Sequence, residues 1–129
     1  MRKIRAFEVS FEVYTRPDDL EIEGNVMASG DAAADRDAEQ DVRARLEAGD
    51  ETAWCGVCVK ATWSCAEGVE YIGTAALWGC SLSPDYTAEI VAKEHDLNSE
   101  ALSDLQARVD TDLARCASIA RKLKRGKRG

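Results

Sequence analysis

The sequence predicts an α/β (α+β) domain in β-α-β-β-α-α order. Its three- or four-stranded sheet is expected to be mainly antiparallel, with the helices packed on one face. Three observations predict this class: alternating apolar and polar residues over 4–15 and 54–82, a capped acidic segment over 29–49, and apolar residues spaced by three and four over 102–123. The first pattern is typical of half-buried strands, and the other two are typical of helices.

The first strand is predicted over residues 4–15, where the odd positions form one apolar face that includes Phe7 and Phe11. Arg16-Pro17-Asp18-Asp19 is typical of a turn and ends the strand. Residues 20–28 fit either a short edge strand or an ordered loop, and the sequence leaves both open.

The first helix is predicted to begin at Ser29 or Asp31 as N-cap and to end at about Ala48, with Gly49 as its stop. Its apolar stripe consists mostly of small residues, which favours a close approach to a sheet. The members of that stripe are Ala34, Ala38, Val42 and Leu46.

The centre of the sheet is predicted to be a hairpin of two strands, Trp54–Cys65 and Val69–Leu82, joined by a turn over Ala66-Glu67-Gly68. Gly73 and Gly79 fall on one face of the second strand, where they would let another element approach the backbone. The predicted core combines the apolar side of the first strand with that of the hairpin. Its named members are Phe7, Phe11, Val57, Val59 and Trp63.

Two helices are predicted after the hairpin. The first runs from about Asp85 to Glu94, with Ser83 as N-cap and Pro84 at the first position. The second is capped by Asn98 or Ser99 and is amphipathic for about six turns. Its apolar stripe is Leu102, Leu105, Val109, Leu113, Cys116, Ala120 and Leu123.

Charge is distributed unevenly along the 129 residues, whose net charge is −7. Residues 121–129 hold six basic and no acidic residues, so the first 120 residues carry 11 basic and 24 acidic residues. We expect one domain over residues 1–123 and a flexible basic tail over 124–129. No apolar run reaches 18 residues and no signal peptide is evident, so we expect a cytoplasmic protein that does not associate with membranes.

The sequence does not predict a catalytic or metal site. Cys55 and Cys58 are three residues apart in a strand and would point to opposite faces, so they are unsuited to one metal ion. We expect the five cysteines to be reduced thiols, mostly buried. His95, the only histidine, is expected at the surface or at a helix end. No nucleophile elbow, phosphate loop or dinucleotide fingerprint is present, and we expect neither an enzyme nor a cofactor.

An acidic surface is the strongest candidate for a binding site. Residues 18–51 contain 12 acidic and three basic residues. A solvated helix face would explain this composition, but so would a surface that binds lysines and arginines of a partner. The candidate residues are Asp35, Asp37, Glu39, Asp41, Asp50 and Glu51.

Several motifs resemble a family of small proteins found in phages, prophages and plasmids. They are the Gly24-Asn25 pair, Ser29-Gly30-Asp31, and Trp54-Cys55 followed by alternating valines, and the resemblance spans about residues 20–110. The chain departs from the family pattern after Gly73, where five extra residues precede Gly79-Cys80 and Leu82 replaces a tyrosine. The family has no settled function, so the resemblance implies only a mobile-element context.

Two functional hypotheses follow. In the first, the protein is an acidic phage-encoded inhibitor, similar to anti-CRISPR proteins, that binds a host complex at its basic nucleic-acid-binding surface. Direct binding of nucleic acid by this protein is not expected. In the second, it is an accessory protein that forms a homodimer by pairing its last helix with that of a second copy. The pairing residues would be Leu102, Leu105, Val109 and Leu113.

Overall fold

The structure is a computed structural model that describes residues 3–26, 29–65 and 68–126. Its three strands and three helices fit the predicted α+β class. In chain order they are β1 (Ser10–Pro17), α1 (Ala32–Glu47), β2 (Cys55–Ser64), β3 (Glu70–Cys80), α2 (Ala88–Glu94) and α3 (Leu97–Gly126). Short 3-10 turns at Ala6–Glu8 and Glu51–Ala53 precede β1 and β2.

The sheet is antiparallel, with β2 between β1 and β3. The register places Val59 opposite Val13 on one side and opposite Ala75 on the other. Because side chains alternate along each strand, these three residues point to the same face of the sheet. A register shift between Cys55 and Val57 interrupts the ladder where β2 begins.

The core lies between this face and α3. Val57, Val59, Ala61, Ala101 and Leu105 are completely buried there. The helix crosses β3 at Gly73, where an added Cβ would collide with the backbone of Ala101 and Leu105. The close approach that the sequence predicted at Gly73 is therefore present, and it brings the helix onto the sheet.

The opposite face of the sheet is more open. Ile72 and Trp78 are 43% and 46% exposed on that face. The indole of Trp78 lies over Gly56, at a position that a Cβ on Gly56 would occupy. Cys58, which pairs with Ala76 in the register, is nevertheless buried.

The first strand is shorter than its sequence pattern suggested. The 3-10 turn at Ala6–Glu8 breaks the alternation, and Phe7 is 85% exposed, so its predicted place in the core is wrong. Ile4 is buried in its stead, and its backbone N–H donates to Oε1 of Gln106 at 2.7 Å. Phe11 and Trp63 pack at the margin of the core, half-buried.

The acidic helix α1 lies at one end of the sheet. The prediction that it packs beside α3 on one face of the sheet is therefore wrong. Within the described ranges the most extensive packing of α1 against another element is with the 3-10 turn Glu51–Ala53, just before β2. It begins at the expected N-cap, Asp31, which accepts the N–H groups of Ala33 and Ala34. It ends as expected at Gly49, whose φ of 91° allows the Asp50 N–H to return to Arg45 O.

The last two helices differ from prediction mainly at their starts. Ser83 and Tyr86 form a tight turn by exchanging backbone hydrogen bonds, so α2 begins only after its N-cap, Thr87. The backbone of Asp96 has a φ of 50° and separates α2 from α3, which begins at Leu97. At its other end α3 continues as helix through 124–126, part of the predicted flexible tail.

The described part of the 20–28 segment, residues 20–26, consists of turns and bends, and Ala28 lies outside the described residues. The predicted turn residues Ala66 and Glu67, and tail residues 127–129, also lie outside them. None of the helices in the described ranges combines the length and the apolar character needed to cross a lipid bilayer.

Candidate functional site

Hydrogen bonds attach α1 and the loop over 18–26, which carry most of the acidic residues of 18–51, to the end of the sheet where β2 begins and β3 ends. This region is called the acidic end below. Arg45 joins α1 to that end by donating to Asp50 Oδ2 at 2.7 Å, to Ser81 Oγ at 3.1 Å and to the carbonyl oxygen of Leu82. One guanidinium thus bridges the helix, the following turn and the segment after β3, which fixes the position of α1.

Asp50 has a structural role. Its Oδ1 accepts hydrogen bonds from Thr52 N at 3.1 Å and Thr52 Oγ1 at 2.7 Å, and so caps the 3-10 turn. These hydrogen bonds from Thr52, together with the bonds from Arg45, lower the pKa of Asp50. Because its oxygens already have partners inside the chain, Asp50 offers little to an external partner.

Glu39 and Asp35 hold the loop before α1. Glu39 is buried, and its Oε1 accepts the Gly24 N–H at 2.9 Å, so its predicted place on an exposed acidic surface is corrected. Asp35 is half-buried and accepts Ser29 Oγ at 2.7 Å. Both carboxylates lie on the inner side of α1 and satisfy groups of the preceding loop.

The remaining predicted residues are Asp37, Asp41 and Glu51, and all three are exposed. Asp37 and Asp41 are four residues apart, so they share the outer face of α1. The structure adds four exposed carboxylates that the predicted site lacked. They are Asp19, Glu21, Glu23 and Glu47.

The loop over 18–26 is tied to the sheet, so its carboxylates are held near α1. Asp18 Oδ2 accepts the Gly79 N–H at 2.5 Å, and the Trp54 indole donates to the Leu20 carbonyl at 2.8 Å. The acidic composition of residues 18–51 indicates these loop residues. The spacing of acidic residues along α1 does not, because the loop lies outside the helix. The exposed carboxylates of this end therefore come from both the loop and α1.

Three thiols lie inside the hairpin. Cys55, Cys58 and Cys80 are buried, and Cys55 and Cys80 are opposite each other in the register. Burial raises the pKa of each, that of Cys55 to about 11, which suppresses the reactive thiolate form. All five cysteines are free thiols, but Cys116 is exposed.

No arrangement typical of metal binding occurs in the described ranges, where no group of three or more His, Cys, Asp and Glu side chains could hold an ion. His95 is exposed and is the C-cap of α2, where its backbone N–H donates to Val91 O. It lies at a helix end, as the sequence predicted.

The predicted self-association residues lie in two different environments. Leu105 and Val109 are buried in the core under α3, so a second copy cannot contact them while the protein is folded. Leu102 is half-buried, and Leu113 is 47% exposed. Only the part of α3 beyond Asp112 is open to a partner along this stripe.

The far end of α3 is also the basic end of the molecule. Tyr71 Oη donates to Asp112 Oδ2 at 2.5 Å near the start of β3, so the helix then runs beyond that end of β3. The acidic end lies at the opposite end of the same hairpin, where Arg45 contacts Ser81. The two charged regions are thus separated by the length of the sheet.

Comparisons of the chain with protein-family models, with curated proteins and with solved structures yield no match in any of the three.

Proposed function

We propose that this protein is a non-catalytic binding protein of a mobile genetic element, which acts in the bacterial cytoplasm. Its acidic end occupies the basic nucleic-acid-binding surface of a host defence complex, in the manner of an anti-CRISPR inhibitor. The observation that carries this proposal is the set of exposed carboxylates on a region that hydrogen bonds within the chain hold in place. The resemblance of residues 20–110 to phage and plasmid proteins supports the mobile-element context.

Some acidic residues hold the loop and the turn in place while others are exposed to solvent, and this difference supports a binding role. Glu39, Asp35 and Asp50 order the loop and the turn, so the backbone segments that carry the exposed acids are held in place. Fixed charges lose little conformational entropy when a partner binds, which favours affinity. A surface of one sign also attracts a basic partner from a distance and raises the association rate.

Capture from bacterial lysate treated with nuclease tests this proposal. The wild-type protein is compared with a triple variant, Asp37→Asn, Asp41→Asn and Glu47→Gln, which removes three exposed charges at the acidic end. The control variant removes three exposed charges elsewhere, through Glu70→Gln, Glu89→Gln and Glu100→Gln. Both variants have the same net charge, so any difference between them reports position.

We expect the wild-type and control proteins to capture the same complex, and the acidic-end variant to bind it about tenfold or more weakly. Affinity should fall as salt rises, because exposed charges are screened beyond about 8 Å at physiological ionic strength. The purified complex should also lose nucleic-acid binding when the protein is added. An affinity that changes neither with salt concentration nor with the triple substitution would contradict the proposal.

A further inference from the structure

An open cleft lies beside Trp78 at the acidic end, between β3 and the loop that follows β1. Its volume is about 440 Å³, which is within the range of sites that bind small ligands or single side chains. The residues that line it combine apolar and charged groups. They are Arg16, Pro17, Asp18, Asp19, Leu20 and Trp78.

The indole of Trp78 lies flat on the backbone of β2. A Cβ added to Gly56 would meet three consecutive atoms of the six-membered ring, Cδ2, Cε3 and Cζ3, of which Cδ2 is 3.0 Å away. A ring that approached edge-on would bring only two of its atoms so near, so one face of the ring covers Gly56. The side chain is nevertheless 46% exposed. The other face of the ring is therefore open to a ligand.

Hydrogen bonds hold the loop in place beside the indole. Asp18 accepts the Leu20 N–H at 2.7 Å with one carboxylate oxygen and the Gly79 N–H at 2.5 Å with the other. Asp19, the next residue along the chain, is exposed. The cleft thus offers a preformed apolar surface with a carboxylate at its edge, and a preformed site loses little conformational entropy on binding.

The charges around the cleft favour a cationic ligand. Asp18 and Asp19 line it together with one basic residue, Arg16, and Glu21 and Glu23 follow in the same loop. The π electrons make the face of an aromatic ring negative, and tryptophan attracts cations more strongly than the other aromatic residues do. No cation of the described ranges stacks on this indole. The open ring face is therefore available to a cation from another molecule.

We propose that the cleft binds an arginine side chain of the partner, with its guanidinium stacked on the Trp78 indole and hydrogen-bonded to Asp19. The methylene groups of that arginine pack on Leu20. Arginine fits better than lysine, because a planar guanidinium stacks on a ring and donates two parallel N–H bonds to a carboxylate. This inference rests on the proposed function, since it assigns one arginine of the partner's basic surface to a specific site.

A nucleotide is the alternative ligand, because a base can stack on the same indole while Arg16 contacts its phosphate. The carboxylates of the loop oppose this arrangement, since they repel a phosphate. Arg16 distinguishes the two ligands by sign. It repels a bound guanidinium, whereas it attracts a bound phosphate.

Titration of the nitrogen-15-labelled protein with short peptides is the direct test. The peptide acetyl-Gly-Gly-Arg-Gly-Gly-amide is compared with the same peptide carrying lysine, or citrulline, which has the shape of arginine without its charge. The indole N–H resonance of Trp78, assigned by its loss in Trp78→Leu, reports binding. The reference is the resonance of Trp63, which stacks on Tyr71.

We expect the arginine peptide to shift the Trp78 resonance saturably, with a millimolar Kd. The lysine peptide should bind a few times more weakly, and the citrulline peptide about tenfold or more weakly. Equal binding of the arginine and citrulline peptides would overturn the proposal, because the cleft would then not recognise charge.

Two surface substitutions should change the affinity for the arginine peptide in opposite directions. Asp19→Asn should weaken binding about fivefold, because it removes the carboxylate that pairs with the guanidinium. Arg16→Gln should strengthen binding about threefold, because it removes a like charge. The matched control is Glu70→Gln, which removes an exposed carboxylate at the other end of β3 and should leave the Kd unchanged. Circular dichroism of each variant shows that the fold is retained.

Titration with adenosine monophosphate tests the alternative. We expect it to leave the Trp78 resonance in place. A saturable shift that becomes weaker with Arg16→Gln would overturn the proposal and assign the cleft to a nucleotide.

Capture from nuclease-treated lysate separates this inference from the proposed function. We expect Trp78→Leu and Asp19→Asn to weaken capture of the complex about tenfold and fivefold. If only the variant Asp37→Asn, Asp41→Asn and Glu47→Gln loses the complex, the proposed function stands and the arginine site is wrong. If the arginine peptide binds as expected but no complex with a basic surface is captured, the proposed function is wrong and the cleft is still an arginine site.

Discussion

The proximal half of α3 (residues 97–112) and its distal half (residues 113–126) have the same amphipathic pattern but different surroundings. Leu105 is completely buried against the sheet, whereas Leu123, on the same side of the helix, is 66% exposed. The difference arises because β3 begins at Glu70, close to where Tyr71 bonds Asp112, so β3 does not extend beneath the helix beyond that point. A periodic pattern thus specifies which face of a helix is apolar, while the length of the neighbouring sheet decides how much of that face is covered.

The largest expected difference between covered and exposed regions is in thiol reactivity. Cys116 on the distal half should react with a maleimide probe on the order of a thousand times faster than Cys55, Cys58 or Cys80, which need the core to open first. Mass spectrometry of labelled peptides over time measures the rates. Equal rates in the native protein would show that the hairpin is not a stable core, and the rates should become similar in denaturant.

Truncating the stripe should affect the two halves very differently. Leu105→Ala is expected to lower the free energy of unfolding by about 3 kcal/mol, because it leaves a cavity in the core. Leu123→Ala should change it by about 0.5 kcal/mol or less at low protein concentration. Urea unfolding of both variants gives the comparison, and similar losses would mean that the distal half is also packed in the folded monomer.

The close crossing at Gly73 gives a third way to test the covered half. Gly73→Ala should lower the free energy of unfolding by about 2 kcal/mol, because the new methyl group collides with the backbone of Ala101 and Leu105. Ile72→Val on the open face of the same strand is the control, with an expected loss of about 0.5 kcal/mol or less. If the two substitutions cost the same, α3 does not approach the sheet at Gly73.

The smallest effect is expected where the two halves meet. The hydrogen bond to Asp112 raises the pKa of Tyr71 to about 12, above its ordinary value of about 10. A raised pKa in the folded state means that the stabilisation is complete below about pH 10 and is lost as the pH rises through 12. Ultraviolet absorbance of phenolate should show this late titration in the wild type.

Tyr71→Phe should remove both the late titration and the associated loss of stability in alkali. Tyr86 provides an internal reference, because its bond to Glu94 also raises its pKa and is untouched by the substitution. A late titration that survives Tyr71→Phe unchanged would assign it to another tyrosine and would remove the evidence for the Asp112 contact.

Local sequence signals predicted the local structure well. Asp31 begins α1, Gly49 follows its end, and the alternation over 54–82 becomes β2 and β3 within a few residues of the expected bounds. Phe7 is an exception, as are the starts of α2 and α3. Phe7 fits the apolar alternation, but the reciprocal bonds between Arg5 and Glu8 favour a 3-10 turn that directs it into solvent.

The roles of the acidic residues depended on distant parts of the chain and could not be predicted from spacing. Glu39 and Asp41 both occupy α1 and differ only in which side of the helix they face. That side is decided by the loop that supplies Gly24 N–H to Glu39. In the same way, the spacing of four residues would favour an ion pair between Arg45 and Asp41, but Arg45 bonds Asp50, Ser81 and Leu82.

The cover of the sheet by α3 has a consequence during synthesis on the ribosome. The strands β2 and β3 are adjacent in sequence and can pair as soon as both emerge, but the residues that cover Val57 and Val59 lie in 97–112. Until that segment leaves the exit tunnel, the nascent chain presents an uncovered apolar sheet. The protein is therefore most vulnerable to aggregation and most dependent on chaperones just before α3 is completed.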